Sequence, residues 1–206
     1  MDLHTHTDYS SGRNTLYSMA KKVMSLGHKV YISTDNEETM NEHLYMRQMF
    51  ESRLLMKEGL INIPIINGLQ IKSMPKLMNG LLFGEEAILK YLTERPSTII
   101  DFFKNMEYGL VICHPVLSNI DTLLNDELFT KLIAQSHGIE VKDNLGTYVT
   151  ESQLTKLDDI KVLKRIIVTD AHAANEMRAI NIDHNVVDEC SLIRYLKEEL
   201  FNLSNW

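Results

Sequence analysis

The chain has 206 residues, 44% hydrophobic and 24% charged, with a net charge of −7. These values describe an ordinary soluble globular protein long enough for one full core, and residues 1–206 read as a single domain. The acidic balance excludes a general nucleic-acid-binding surface. Two cysteines exclude a disulfide framework and fit a reducing cytosol. No stretch approaches the roughly 18 apolar residues of a membrane span, and no basic leader precedes an apolar core, so a cytoplasmic protein without a signal peptide is expected.

The predicted elements alternate along the chain. Residues 2–6 read as a first strand and 7–13 as a polar loop containing Gly12. Asn14 caps a helix reaching about residue 26, with Leu16, Met19, Ala20, Val23 and Met24 on one face, and Gly27 ends it. A second strand covers 30–34. The segment 37–57 reads as a helix in which Met40, Leu44, Met46, Met49, Phe50 and Leu54 are core packing. Strands are expected at 61–66 and 80–83, and helices at 85–92 and 97–106 with Pro96 between them. A strand at 109–113, a helix at 120–135, a strand at 138–141 and a helix at 150–157 follow. The last elements are a strand at 165–169, a short helix at 173–180 and a closing amphipathic helix at 190–203. This alternation argues for an α/β fold with a mainly parallel sheet.

Metal-ligand chemistry gathers at the ends of the predicted strands. His4 and His6 are separated by one residue; in a strand they share a face at roughly 6–7 Å, close enough to converge on an ion whose bonds to nitrogen are about 2 Å. Asp170 and His172 repeat that spacing after the β-branched run 166–169, and another apolar run leads into His114-Pro115. Asp35-Asn36, Gln70 and Glu140 occupy equivalent positions on other strands. Ligand candidates on most strands favour a small (β/α) barrel of about seven units over a doubly wound sheet, whose site sits at one switch point. Cys113 and Asp35 face away from their neighbours His114 and Asn36 and read as structural. His28, His43, His137 and His184 read as surface residues. There is no Gly-rich phosphate loop, no Walker-type lysine and no Gly-x-Ser-x-Gly elbow.

These motifs, in this order, resemble the PHP (polymerase and histidinol phosphatase) family. Asp2-Leu3-His4-Thr5-His6-Thr7 with Ser10-Ser11-Gly12 is similar to its first motif, Ser33-Thr34-Asp35-Asn36 to its second and Gly68-Leu69-Gln70 to its third. His114-Pro115, Gly138-Ile139-Glu140-Val141 and Asp170-Ala171-His172 resemble the remaining three. The resemblance implies a distorted (β/α)7 TIM-like barrel and a metal-dependent phosphoesterase centre that holds up to three ions, commonly zinc, manganese or iron. It also implies the ligand sets: His4, His6 and Asp170 with Gln70 as a weak fourth ligand, His114 and Glu140 for a second ion, and His172 for a third.

Three positions depart from the family pattern. Ser11 stands where an acidic residue is usual, Asn36 where a histidine is, and Gln70 where a bridging glutamate is. Each exchanges a strong ligand for a neutral, weak one. One or two ions are therefore expected rather than three.

The expected chemistry is hydrolysis of a small-molecule or nucleotide phosphate ester by a metal-activated water. His172, beside Asp170, acts as acid or base or fixes the leaving oxygen, and Arg13 and Arg178 are the candidate phosphate contacts. A second reading is a degraded PHP-like domain that binds or regulates without turnover. A third is an amidohydrolase-type barrel, which also opens with His-x-His. Against it, that family does not regularly place a histidine two residues after its last-strand aspartate, and no metal-bridging lysine is placed here.

Overall fold

A computed structural model of the chain describes residues 1–74, 78–95, 110–115, 125–136, 138–142, 149–160, 164–179 and 186–195. Helix α1 (Leu16–Ser25) buries Leu16, Met19, Ala20 and Val23, the i, i+3, i+4, i+7 set that a helix presents on one side. Its cap is Thr15, whose hydroxyl accepts from Ser18 N, and not Asn14; Asn14 Oδ1 instead accepts from Ala174 N. Gly27, at φ +80°, supplies the left-handed turn that stops the helix.

Strand β1 (Tyr31–Asn36) leads into helix α2 (Glu42–Lys57), which starts five residues later than the periodicity suggests. Asn41 is the stronger cap, accepting from Leu44 N at 2.9 Å, and residues 37–40 form a turn on Asn36 O instead. The packing of α2 also differs from expectation. Met46, Phe50 and Leu54 are exposed, while Tyr45, Gln48, Met49, Ser52 and Leu55 are buried. The buried face is partly polar because Gln48 and Ser52 bond to Asp35, Ser33 and Asn67 on the sheet beneath.

Strand β2 (Ile65–Met74) begins after Pro64 and runs well beyond the 61–66 segment, so Gly68 and Gln70 lie inside a strand. Gly68 is required there. A Cβ would lie 2.8 Å from the Phe83 ring and 2.9 Å from Thr34 Cγ2 on the neighbouring strands. Strand β3 (Met78–Phe83), helix α3 (Glu85–Glu94), strand β4 (Leu110–Pro115), helix α4 (Glu127–Gln135) and strand β5 (Gly138–Lys142) follow. Helix α5 (Glu151–Asp158) opens with a capping box between Thr150 and Gln153. Strand β6 (Lys164–Ile167), a single 3-10 turn at Ala174–Glu176 and helix α6 (Glu189–Tyr195) complete the described elements. The expected helix at 97–106 lies outside the described residues, as do parts of those at 120–135 and 190–203.

The six strands form one sheet in the order β1-β2-β3-β4-β5-β6. The pairings β1–β2, β4–β5 and β5–β6 are parallel, and β2–β3 and β3–β4 are antiparallel. This overturns the expected (β/α)7 TIM-like barrel. Met74 and Met78 pair with each other across β2 and β3, which leaves no room for a helix between those strands and breaks the repeat. Among the described residues no ladder joins β6 to β1, so the sheet is mixed and open. Nor do residues 2–6 form a strand; they make one isolated parallel bridge, Thr5 to Ala171.

That opening segment is nonetheless held on both sides. Thr5 O accepts from Thr34 N at 2.7 Å, Thr5 Oγ1 donates to Ile32 O at 2.6 Å, and His6 N donates to Ala171 O at 2.8 Å. The first residues thus lie between the β1 edge and the chain leaving β6. Met1, Leu3, Val30, Ile32, Ile166 and Val168 pack together around them. Among the described residues no helix is long and apolar enough to cross a membrane.

Candidate metal centre

The extended backbone of residues 2–6 puts His4 and His6 on one side, with both rings buried. Asp170 reaches them from the other edge. It has φ 49°, the left-handed region that Asp tolerates better than most residues, and this turn just past β6 aims its carboxylate at the histidines. His4 Nε2 lies 3.1 Å from His6 Nε2, and Asp170 Oδ1 lies 3.3 and 3.2 Å from those two nitrogens. Three ligand atoms therefore form a nearly equilateral triangle. Ligands about 2.0–2.1 Å from a tetrahedral zinc are about 3.3–3.4 Å from one another, so the triangle has the dimensions of one face of such a site. Buried His6 Nδ1 has no hydrogen-bond partner, and Asp170 Oδ1 is met by three histidine nitrogens at 3.2–3.5 Å, long contacts for a buried carboxylate oxygen. His4, His6 and Asp170 thus fit a divalent ion.

Neighbouring residues orient this set. Glu140, fully buried on β5, takes His4 Nδ1 at 3.1–3.2 Å, which aims His4 Nε2 at the triangle. Asp2, also buried, accepts from His4 N, Thr169 N and Thr169 Oγ1, and so ties the opening segment to the chain before Asp170. Asp35 accepts from Thr7 N at 2.8 Å, Thr7 Oγ1 at 2.7 Å, Gln48 Nε2 at 2.5 Å and also Ser10 Oγ, which fixes the loop after His6. Gly12 closes that loop so tightly that a Cβ would meet His6 O at 2.6 Å.

The charges are set by mutual contact. Burial pulls the His4 pKa down, but Glu140 and Asp170 outweigh it and raise it to about 9. Burial lowers His6 to about 4, despite its bond to Asp170, with the His4 charge adding to the fall. Burial pushes Asp170 up, yet His4, His172 and His6 together hold its carboxyl well below the usual range. Burial raises Asp2 to about 6 against the hydrogen bonds it receives.

A raised histidine value stabilises the metal-free fold below about pH 6.5, and that stabilisation is lost as the pH rises through 9. The same value makes ion binding release protons. Near pH 7.5 metal-free His4 carries a proton on Nε2 that must leave before this nitrogen can ligate, so about one proton per ion is expected to be released. Calorimetry in buffers of different protonation enthalpy reads this directly. A binding enthalpy independent of buffer at pH 7.5 would contradict the assignment of the charge to His4.

No protein-family model and no curated protein matches this sequence. Solved structures do match. The chain is similar to a protein from Bifidobacterium adolescentis provisionally assigned as a metal-dependent phosphoesterase, at 15% identity and a TM-score of 0.54, covering 95% of this chain and 94% of that one. It is also similar to an amidohydrolase from Chromobacterium violaceum, a structure with bound sulfate and no metal, at 13% identity and a TM-score of 0.55, covering 95% of both chains. At these identities the likeness is one of fold.

The remaining sequence candidates are placed as follows. His172 stands beside the triangle, its Nε2 3.5 Å from Asp170 Oδ1 and its ring stacked on His6 at 4.3 Å. Gln70 is buried on β2, in register with Asn36 of β1. His114 lies on β4 with its backbone opposite Asn79; its side chain is outside the described part. Arg13 is exposed and paired with Glu176. Arg178 is exposed, and its carbonyl accepts from His28 Nε2 at 3.0 Å. His28 is thus a buried residue and not the surface one expected, whereas His43 is exposed. His137 and His184 lie outside the described residues.

Two roles escaped the sequence. Glu140, expected to ligate a second ion, stands against His4. Asp2 carries a signal in retrospect: an acidic residue two before His4 shares its face and can reach its backbone.

Proposed function

We propose that the chain is a PHP-like, metal-dependent phosphoesterase acting on a small-molecule or nucleotide phosphate ester. The observation that carries the reading is the triangle of His4 Nε2, His6 Nε2 and Asp170 Oδ1 with edges of 3.1–3.3 Å. Zinc or manganese suits two imidazoles and a carboxylate. When bound, such an ion supplies Lewis acidity that brings the pKa of a water toward neutrality and polarises a phosphoryl oxygen.

The protein's own contribution is orientation. Glu140 keeps the His4 proton on Nδ1 and leaves Nε2 for the ion. Asp170 brings the negative charge that offsets it. His172, half-exposed beside the triangle, is the group we assign to an incoming ester, and Arg13, exposed beside it, is the cation we assign to the phosphate. Because Glu140 is engaged by His4, the centre is read as holding one complete ion.

A second reading, binding without turnover, is favoured by one observation. Ser11 and Asn36 are hydrogen-bonded to each other at 2.8 Å, which is a neutral contact where the family resemblance puts ligands. One experiment separates the two. Metal content is measured by elemental mass spectrometry on protein prepared without a histidine tag or chelator, with hydrolysis of an aryl phosphate and an aryl amide assayed after loading with zinc or manganese. About one equivalent of metal with metal-dependent phosphatase turnover is expected. Negligible metal after loading selects the non-catalytic reading, and turnover of the amide alone selects amide chemistry.

A further inference from the structure

We infer that the chain carries a second ligand site, at the end of the sheet opposite the metal centre, for a small neutral molecule with an apolar body and a primary amide head. The site is a cavity of about 280 Å³ between α2, the start of β2 and the segment that leads into α6. Ile65, which lines it, pairs with Tyr31 at the start of β1, whereas Asn36 at the other end of that strand reaches Ser11 beside the centre. Met49, Met56, Ile65 and Val187 give the cavity apolar walls. Ser52 and Asn67, both more than nine-tenths buried, are its deep polar residues. An apolar cavity of about 150 Å³ takes up benzene, so this one has room for a ring and a short polar group.

The head group follows from what Ser52 and Asn67 have left to offer. Their orientation is set from Asp35, whose carboxylate accepts from Gln48 Nε2 at 2.5 Å. Turning that amide over would put its oxygen against the carboxylate. Gln48 Nε2 also donates to Ser33 Oγ at 3.2 Å, so the Ser33 proton goes to Asn67, at 3.1 Å, and the atom it meets is Oδ1. Asn67 Nδ2 therefore lies on the Ser52 side and donates one proton to Ser52 Oγ at 3.0 Å. Its second proton has no acceptor among the described residues. Ser52 Oγ donates to Asn67 Oδ1 at 3.1 Å, and after accepting from Nδ2 it keeps one lone pair. The cavity thus presents one spare donor and one spare acceptor on atoms 3.0 Å apart. A carbonyl oxygen at Nδ2 and an N–H at Oγ satisfy both, which is the edge of an amide. At the mouth Arg53 is already bonded to Glu85 at 2.8 Å, and Asp188 accepts from Ser191 N at 2.7 Å. No lining cation is left for an anion, which makes the ligand neutral.

The test is a titration of benzamide, the probe, into the full 15N-labelled chain, followed by proton–nitrogen correlation spectra. Saturable shifts are expected at the Asn67 side-chain amide and at backbone amides of residues 49–56, 65–67 and 187–190. Benzoate, of the same size but charged, is expected to leave these signals in place. Ser52→Ala removes the acceptor and is expected to weaken benzamide about tenfold. Val187→Trp is the second variant, because Val187 is 68% exposed and a larger side chain there obstructs the cavity without touching the core. It is expected to abolish the shifts, and it decides the matter alone if Ser52→Ala does not fold. Absence of saturable shifts, equal binding of benzoate, or undiminished benzamide binding in Val187→Trp overturns the inference.

Discussion

Replacing His4 and His6 together by alanine is expected to abolish divalent-ion binding and metal-dependent hydrolysis. Four-ligand zinc sites bind with apparent free energies of about 10–16 kcal/mol, or about 3 kcal/mol per ligand. Removing two ligands then costs about 6 kcal/mol, roughly four decades of affinity. Asp170 alone cannot compensate, because a single carboxylate against water is a weak ligand for zinc. His6→Ala is the sharper control. It removes one ligand, leaves the His4–Glu140 pair intact, and is expected to cost about two decades. Competition titration against a chelating dye measures both variants. Retention of one tightly bound equivalent in the double variant would place the ion elsewhere.

The second large effect is expected at Glu140. This carboxylate is fully buried and holds the His4 ring, whose pKa it raises. Glu140→Ala leaves a buried imidazolium without its principal partner, a change of about 3–5 kcal/mol when one member of a buried pair is deleted. Part of that is recovered as His4 loses its charge and its pKa falls. The metal-free variant is therefore expected to melt well below the parent near pH 6.5, and the difference to shrink toward pH 9, where the parent loses the same interaction. Ion affinity is expected to fall 10- to 100-fold because His4 Nε2 is no longer held on line. Glu140→Gln keeps an acceptor for Nδ1 and should recover most of the affinity but little of the pH dependence. Thermal melts at the two pH values, with and without zinc, decide the matter; equal melting temperatures for Glu140→Ala and the parent would remove Glu140 from this role.

How far these features could be read from the sequence depends on their range. The buried stripe of α1, the Gly27 stop and the Thr150–Gln153 capping box are local, and each is set within a turn or two of chain. The His-x-His spacing was legible for the same reason, since residues two apart in extended chain share a face; Asp170 instead reaches the histidines through its left-handed turn, which spacing does not reveal. What was not legible depends on pairing. Alternation alone does not reveal that β2 and β3 form an antiparallel hairpin, which makes the sheet mixed, or that among the described residues no ladder joins β6 to β1, which leaves it open. Glu140 reads as a ligand at a strand end until the register places it against the far nitrogen of His4. The α2 stripe misled because its inner face is filled by Gln48 and Ser52, whose burial is allowed only by partners on other strands. Ser11 and Asn36 read simply as lost ligands; their mutual hydrogen bond exists only in the folded chain.

The opening segment has a further consequence for how the molecule comes apart. His6 and Asp170 stand on stretches separated by most of the chain, and an ion between them acts as a reversible cross-link around a loop of more than 150 residues. The chain-entropy argument used for disulfides assigns such a loop a stabilisation of about 5 kcal/mol. Loss of the ion would remove that cross-link and leave the opening segment held only by contacts such as those of Thr5 to Thr34 of β1 and to Ala171 beyond β6, which then open together more often. Resistance to proteolysis should then track ion occupancy, and the first cleavages in stripped protein should fall beside residues 1–12 and 168–176, far apart in sequence but released by one event.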